Sequence, residues 1–304
     1  NDTHAPYPLC QTSPEKDAFH ICALKFKELA EKNSNGEIKI TIYPNRQLGD
    51  EKTLLERMKM GIVDAGAITG GPIVNFVPIF GVTDLPFLFS SPEHAYAVLD
   101  GPIGKSLLKK MEEAGFKGLA FGERGFRNLT NSKRPVRTPQ DVKGLKIRVM
   151  QNPVYVDTFK ALGANAVPMA WGEVLTALQQ GTVDGQENPV NVIYAFKLYE
   201  VQKYLSMTRH AYAPMVIMFS LKKWNKIPEK YQKILQDAAQ KAAEYEREYD
   251  NKNEAVQLKE IEKHGMQVIM DPDIEAFRKA VKPVYDKYES KFGKELIESI
   301  LNYK

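Results

Sequence analysis

An arginine stands inside an otherwise apolar stretch, Lys146–Met150 (KIRVM). The pattern predicts a buried strand, and a guanidinium is costly to bury without a partner. Other arginines precede it within a window of 25 residues: Arg124, Arg127, Arg134 and Arg137. This density predicts a site for a small anion. The partner of Arg148 is then either an exogenous anion or an internal acid such as Glu123 or Glu187.

The sequence contains none of the spacings that common catalytic or metal sites use. Its five histidines are scattered, and HExxH, CxxC, GxSxG, Walker and GxGxxG patterns are absent. No metal, cofactor or catalytic residue is therefore predicted. An α/β chain with cationic and amide groups on strands, but without a catalytic constellation, favours a binding protein over an enzyme.

Composition narrows the class of protein further. The 304 residues carry 42 basic and 38 acidic side chains, so the net charge of +4 does not indicate a nucleic-acid partner. No apolar run is long enough for a transmembrane helix. A signal peptide is also absent, which we interpret as its removal from an exported protein.

The two cysteines leave two alternatives open. Cys10 and Cys22 are either unpaired thiols, one of them on the buried face of a helix, or a disulfide that joins the N-terminal loop to the first helix. An oxidising compartment permits the second alternative.

The candidate residues must be positioned by alternating strands and helices. Periodicity predicts strands at 62–68, 117–121, 146–150, 164–168, 182–186 and 212–220. It predicts helices at 153–162, 171–180 and 190–198. A further helix opens at Ser13–Glu15, and Asp50 caps the next. The alternation predicts an α/β protein with mostly parallel sheets covered by helices.

Two segments 120 residues apart share one pattern: LLERMKMGIVDAG (54–66) and VLTALQQGTVDGQ (174–186). Each predicts a helix that ends at a left-handed glycine, followed by Val-Asp at the start of a strand. The pair predicts two α/β lobes of related construction.

A long segment without glycine or proline runs from Glu229 to about Lys263. It predicts either one helix of about 50 Å that crosses both lobes, or two helices joined near Asp250–Asn251.

The sequence resembles the substrate-binding proteins of tripartite ATP-independent periplasmic (TRAP) transporters, of the DctP type. The segments that carry the resemblance are IYPNRQLGDEKTLLERMKMGIVDAG (42–66), DLPFLF (84–89), GFRNLTNSKRPVRTPQDVKGLKIRVM (125–150), ALGANAVPMAWGEVLTALQQGTVDGQENP (161–189) and YEVQKYLSMTRH (199–210). The resemblance implies a two-lobed periplasmic binding protein fold with crossing strands and a long lobe-spanning helix. It places lobe I at 1–125 and 213–250 and lobe II at 126–212 and 251–304, with the ligand in the cleft between them.

The resemblance also implies ligand-binding residues. Arg148 matches a family arginine that forms a bidentate pair with the ligand carboxylate. Asn188 matches an amide that donates to the same carboxylate; its alternative role is to cap a helix that starts at Pro189. Arg127 matches a second arginine, which either touches the ligand or holds the partner of Arg148. Trp171 matches an aromatic position in the pocket; core packing is the alternative.

Further candidates follow from the same resemblance. Glu123 can accept ligand hydroxyls and Arg124 can add an anion contact, unless the two form a surface ion pair. Gln151, with Asn152, can contact polar groups of the ligand. His4, Tyr7 and Asp50 fall in the loops through which lobe I of family members reaches the ligand. The family's first apolar strand is expected to be missing here, because the chain opens at NDTHAPYP.

The implied function is capture of a small organic acid in the periplasm and its delivery to the membrane permease subunits of a TRAP system, driven by an ion gradient. The protein is expected to act as a monomer. A sugar acid such as a uronate or aldonate is the favoured ligand. A phosphorylated polyol, or an aromatic or 2-keto acid, is the alternative ligand. The alternative functions are a periplasmic enzyme acting on such an acid and a receptor domain that feeds a signalling protein.

Overall fold

The computed structural model describes the backbone of residues 6–10, and residues 17–44 and 46–304 with their side chains. The strands are β1 (Pro6–Cys10), β2 (Lys39–Tyr43), β3 (Ala65–Thr69), β4 (Phe116–Asn131), β5 (Lys146–Val149), β6 (Asn165–Pro168), β7 (Gly185–Asn188), β8 (Tyr204–Ser220) and β9 (Gln267–Ile269). The α-helices are α1 (Ala18–Asn33), α2 (Glu51–Lys59), α3 (Gly70–Ile73), α4 (Pro92–Asp100), α5 (Pro102–Lys110), α6 (Pro139–Val142), α7 (Pro153–Ala161), α8 (Val174–Gln180), α9 (Val190–Ala195), α10 (Leu221–Trp224), α11 (Glu229–Lys263), α12 (Ile274–Ala280), α13 (Lys282–Phe292) and α14 (Lys294–Leu301). Short 3-10 helices lie at Pro78–Asp84, Met111–Ala114, Trp171–Glu173 and Leu198–Glu200.

Packing divides the described chain into two compact units. The first unit holds the described residues up to Val77, Leu99–Arg124 and Pro214–Lys252. The second unit holds Pro78–Val98, Gly125–Ala213 and Asn253–Lys304. Strands β4 and β8 and helix α11 each contribute residues to both units. Residues 78–98 fall in the second unit, whereas the sequence places them in lobe I. The assignment of the units as functional lobes stays a prediction.

The pairing of the strands is mostly parallel, as the sequence predicts. In the first unit β1 pairs in parallel with β2 and β3, and β3 pairs with β8 in the antiparallel sense. In the second unit β5 pairs in parallel with β6 and β7, and β9 with β8, while β4 and β7 are antiparallel. The α/β class is confirmed.

Both repeated segments form a helix, a left-handed glycine and a strand, but Val-Asp precedes each strand instead of starting it. Helix α2 is followed by Gly61 at φ +80° and then by β3. Helix α8 ends at Gly181 at φ +72° and is followed by β7. A left-handed residue after the last helical turn favours glycine, because it has no Cβ to clash.

Helix α11 is continuous over 35 residues, so the alternative of two helices joined near Asp250–Asn251 is wrong. Its alanine-rich stripe packs in the core of the first unit, against α1 and the sheet, through Leu235, Ala238, Ala239 and Ala242. Its C-terminal part contributes Ile261 to the core of the second unit. In the described part of the chain, every helix is too short or too polar to cross a membrane.

Several strands differ from the prediction. Strands β3 and β7 begin three residues later than predicted, at Ala65 and Gly185. Strand β1 exists at Pro6–Cys10 and pairs with β2, so the expectation of a missing first strand is wrong. Strand β4 extends to Asn131 instead of ending at 121, and β8 begins at Tyr204 instead of 212. Charged and hydroxyl side chains interrupt the apolar pattern of β4 and β8, yet most of them are buried.

The N-terminal helix starts at a different cap from the one the sequence predicts. Asp17 accepts a hydrogen bond from the Phe19 amide at 3.1 Å and caps α1, whereas Ser13–Glu15 lie outside the described residues. Cys22 on this helix is a buried free thiol, and burial raises its pKa well above the usual value. The side chain of Cys10 is outside the described atoms.

Candidate functional site

Arg148 is a fixed, buried cation at the end of a short strand. It lies on β5 and is 3% exposed. Its Nε donates to the carbonyl oxygen of Met169 at 3.0 Å. Its guanidinium carbon lies 5.3 Å from the centre of the Trp171 ring. The carbonyl and the ring hold the guanidinium plane in place, which suits the geometry that recognition of a carboxylate needs.

Trp171 lies at the margin of an apolar cluster. It opens the 3-10 helix Trp171–Glu173 and is half-buried. Its ring packs edge-on against Phe196, with 4.9 Å between centroids. The packing role that the sequence left open is therefore present, and Trp171 also supports Arg148. A contact of Trp171 with the ligand stays a prediction.

The register of the sheet brings Arg148 and Asn188 to one face. Arg148 pairs with Gln186 across the parallel strands β5 and β7. Asn188 follows Gln186 by two residues, and side chains two apart in a strand share a face. The antiparallel pairing of β4 and β7 adds Asn128 and Thr130 to this face, since they pair with Asn188 and Gln186. A cation and several amide and hydroxyl groups thus line one side of the sheet.

Asn188 is held by a neighbour on its own strand. It is 5% exposed, and its Nδ2 donates to Oε1 of Gln186 at 2.6 Å. The helix-capping alternative is wrong, because the N-cap position of α9 is Pro189 and the helix begins at Val190. The role of Asn188 toward a ligand carboxylate stays a prediction, supported by its place on the face of Arg148.

Arg127 lies on the opposite face of β4 and forms a buried ion pair. Its Nε donates to Oε2 of Glu187 at 2.6 Å and its Nη2 to Oε1 at 2.9 Å. His210 Nε2 lies 2.8 Å from the same Oε2. Burial raises the pKa of Glu187, but the charge of Arg127 and the contacts with His210 outweigh it and lower the pKa overall. Glu187, which the sequence offered as a partner for Arg148, is thus bonded to Arg127 and His210.

Asp84, in the DLPFLF segment, is a buried carboxyl close to this pair. Its Oδ2 accepts from Nδ2 of Asn152 at 2.8 Å. Burial raises the pKa of Asp84 to about 7; the Asn152 hydrogen bond and the charge of Arg127 oppose the rise, and Glu187 adds to it.

Asn152 also caps α7 through the amides of Val154 and Tyr155. Asn152 is thus engaged in holding the turn after Arg148.

Glu123 and Arg124 belong to the first unit and are both buried, so the surface ion pair is wrong. Arg124 donates through Nη1 to both carboxylate oxygens of Asp17, at 2.6 and 2.8 Å, and stacks over the Phe19 ring. The Glu123 amide donates to Glu246 at 2.6 Å. Burial, and then the charge of Glu123, raise the pKa of Glu246 well above its usual value.

The remaining candidates are spread over the chain. Gln151 is half-buried in the turn between β5 and α7. Asp50 is half-buried at the N-cap position of α2, with an oxygen 3.8 Å from Nη1 of Arg46. Tyr7 lies in β1, so its expected place in a loop is wrong, and its side chain is outside the described atoms. His4 lies outside the described residues.

Sequence reasoning missed the polar residues that support Asn188, namely Thr130, Gln186 and Gln202. All three are buried, and Thr130 is hydrogen-bonded to both Gln186 and Gln202. The signal available in the sequence was the polar run Gln186–Glu187–Asn188 at the end of the predicted strand 182–186. Polar side chains in such a position require partners.

Comparison with known proteins identifies the family of the chain. The bacterial extracellular solute-binding protein family 7 (DctP) matches residues 9–291. The 2,3-diketo-L-gulonate-binding periplasmic protein YiaO of Escherichia coli is 36% identical over 88% of this chain and 81% of its own length.

Solved structures superpose over nearly the whole chain. A TRAP periplasmic solute-binding protein from a Polaromonas species, bound to D-erythronate, has a TM-score of 0.97 and 43% identity over 99% of both chains. The sugar acid binding protein of Advenella mimigardefordensis, in complex with galactonate, has a TM-score of 0.95 and 35% identity over 98% of this chain and 97% of its own. The two-lobed fold of TRAP binding proteins that the sequence predicts is therefore confirmed. The chain belongs to the bacterial extracellular solute-binding protein family 7.

Proposed function

We propose that the protein binds a hydroxylated monocarboxylate of the sugar-acid class, such as an aldonate or a uronate. The observation that carries this proposal is the position of Arg148, a buried guanidinium fixed by the Met169 carbonyl and the Trp171 ring on the same sheet face as Asn188. The guanidinium fork pairs with the carboxylate and the Asn188 amide donates to it.

The relatives support this ligand class. Erythronate, galactonate and 2,3-diketogulonate are each named with a similar protein, and each joins one carboxylate to a hydroxylated carbon chain. We propose that Gln151 and Trp171 in the second unit, and Glu123, Arg124, Asp50, Tyr7 and His4 in the N-terminal half, contact the rest of the molecule. In this proposal Arg127 does not touch the ligand but supports the strand that carries Asn188, because it binds Glu187 on the opposite face.

The cellular role follows from the family and is part of the proposal. The protein works in the periplasm as a monomer, and the two units act as the two lobes of the binding protein. It delivers its ligand to the membrane permease subunits of a TRAP system and performs no catalysis.

A thermal-shift screen tests the ligand class. Galactonate and erythronate are compared with glycerol 3-phosphate, for the phosphorylated polyols, and with phenylpyruvate, for the aromatic 2-keto acids. A ligand that binds only the native state adds about 2.7 kcal/mol at a hundredfold excess over Kd. We expect the largest shift with an aldonate. A larger shift with the phosphate or the keto acid replaces the proposed class with that one.

The same sample distinguishes a binding protein from an enzyme. Galactonate is incubated with the protein for hours, recovered after denaturation and measured by NMR. We expect the acid to be recovered unchanged. Conversion to a product would overturn the proposal.

A further inference from the structure

A buried relay of hydrogen bonds starts at Gln202 and ends at Asn188. Gln202 is 3% exposed, and its Nε2 donates to the backbone carbonyls of Asp184 at 3.2 Å and Val201 at 3.0 Å. Because carbonyls only accept, this end of the Gln202 amide must be the nitrogen. The backbone therefore decides which way the Gln202 side chain faces, and its Oε1 must point away from the two carbonyls.

The orientation of the Gln202 amide determines which groups donate and which accept in the rest of the relay. The Thr130 hydroxyl donates to Gln202 Oε1 at 2.7 Å, so the Thr130 oxygen is left to accept from Gln186 Nε2 at 2.8 Å. Gln186 then presents Oε1 to Asn188, whose Nδ2 donates to it at 2.6 Å. A flipped Asn188 would bring two carbonyl oxygens to that distance, which is repulsive. Each side chain has one polarity that satisfies its neighbours.

We propose that Gln202, Thr130 and Gln186 are positioning residues that fix the orientation of the Asn188 amide toward the ligand carboxylate. This inference rests on the proposed function, in which Asn188 donates to that carboxylate. One N–H of Asn188 is used by Gln186, so its second N–H is the donor for the ligand. Gln202 reaches the ligand only through three other side chains.

Thr130 is the point at which the relay can be cut with the least change in shape. Thr130→Val keeps the branched side chain and removes the hydroxyl, whereas Thr130→Ser keeps the hydroxyl. We expect Thr130→Val to raise the Kd for galactonate about tenfold, near the effect of one lost hydrogen bond. Thr130→Ser is expected to restore the Kd to within about threefold of the wild type. Isothermal titration calorimetry measures both.

A double-mutant cycle separates positioning from general damage to the fold. If Thr130 acts through Asn188, Thr130→Val has no further effect on the Kd in an Asn188→Ala background. A Thr130→Val variant that weakens binding equally in both backgrounds would overturn the proposal. So would a Thr130→Val variant with wild-type affinity, or a Thr130→Ser variant as weak as Thr130→Val.

A readout without ligand keeps the test independent of the proposed function. In ¹⁵N-labelled protein, the side-chain NH2 resonance of Asn188 is compared between the wild type and Gln202→Leu. Gln202 is separated from Asn188 by Thr130 and Gln186, so a shift reports the relay. An unshifted Asn188 resonance rejects the relay. A shifted resonance in a protein that does not bind galactonate keeps the relay and rejects the proposed ligand.

Discussion

Two segments of the chain share one backbone design and differ in what their strands carry. Helix α2, Gly61 and strand β3 correspond to helix α8, Gly181 and strand β7. An aspartate precedes each strand and its carbonyl accepts a backbone hydrogen bond: Asp64 from Ser220 at 2.8 Å and Asp184 from Ser132 at 3.0 Å. The two Val-Asp pairs thus match in sequence, and their aspartate carbonyls also match in the type of contact they make.

The strands themselves are opposite in character. Strand β3 reads AGAIT, and Ala65 and Ala67 pack in the core of the first unit. Strand β7 reads GQEN and is equally buried. Aligned on their aspartates, Ala67 corresponds to Glu187. The shared design therefore does not require a polar strand.

The difference supports the proposed position of the binding site. Burying an amide or a carboxylate is unfavourable unless each is paired, whereas alanine at the same position needs no partner. The second segment keeps Gln186, Glu187 and Asn188 and surrounds them with partners on β4, β8 and the 200–202 turn. A polar strand of this kind is what the proposed binding face next to Arg148 requires.

Glu187→Ala gives the second segment the residue that the first segment has at Ala67. We expect this variant to have the largest effect on stability. The substitution leaves Arg127, which is 1% exposed, without its carboxylate partner. Removing one member of a buried ion pair costs about 3–5 kcal/mol of unfolding free energy. Urea denaturation measures it.

A second variant checks the reason for that loss. Arg127→Met combined with Glu187→Ala removes both charges, and we expect it to recover part of the lost free energy, since no buried charge is then left without its partner. A double variant as unstable as Glu187→Ala would show that the buried charge is not the cause.

Arg148→Ala should have the next largest effect, on binding instead of stability. Truncating one partner of a buried charge pair costs about 2–5 kcal/mol, which is roughly a 30-fold to several-thousand-fold rise in Kd for galactonate. Arg134→Ala is the matched control: Arg134 is exposed and donates to the carbonyls of Asp141 and Lys143. We expect that variant to bind as the wild type does.

Calorimetry and a thermal melt are run on both variants. An Arg148→Ala protein that folds and binds galactonate at wild-type affinity would reject Arg148 as the anchor. If Arg148→Ala fails to fold while Arg134→Ala folds, the guanidinium has an internal structural role instead.

The sequence predicted the strands and helices around this site better than the hydrogen bonds between its side chains. β5, α7 and β6 lie within about two residues of their predicted bounds, because their apolar pattern is regular. The prediction for β4 and β8 covered only part of each strand, since Glu123, Arg127 and Thr208 look like loop residues until their partners are known. Gln202 lies 14 positions from Asn188 in the sequence, and no local pattern connects it to Thr130. Such pairs are set by the pairing of strands.

The buried carboxyl of Asp84, close to Glu187 of the polar strand, should make the stability of the protein depend on pH. Asp84 has a pKa of about 7 in the folded protein, for which burial is the main cause and Glu187 a contributor, against 3.8 in the unfolded chain. The folded state therefore holds a proton that the unfolded state releases, and stability falls as pH rises from about 4 to about 7.

Asp84→Asn removes this titration and keeps an acceptor for Asn152. The stability of the variant relative to the wild type should rise between pH 4 and pH 7 and stay constant above pH 8, by an amount on the order of 2 kcal/mol after relaxation around the charge. Chemical denaturation at several pH values measures it. A difference between the two proteins that is the same at every pH would rule out Asp84 as the titrating group.

The smallest expected effect is the difference in stability between variants of the two aspartates, Asp64 and Asp184. Asp64 and Asp184 have similar side-chain exposures, 16% and 14%, and each faces one lysine, at 3.6 Å from Lys223 and 3.9 Å from Lys133. Such half-exposed ion pairs contribute about 0–1 kcal/mol. Asp184 also accepts the Lys146 amide at 2.9 Å, which ties the start of β5 to the start of β7.

Asp184→Ala should therefore destabilise the protein by about 1 kcal/mol more than Asp64→Ala, the net contribution of one hydrogen bond. For Asp64, burial raises the pKa despite Lys223, so its charged form is not strongly favoured and its removal costs little. Urea midpoints at equal m-values measure the difference. If the two variants lose the same stability, the amide contact of Asp184 contributes nothing. The functional distinction between the two segments would then rest on the polar residues 186–188 alone.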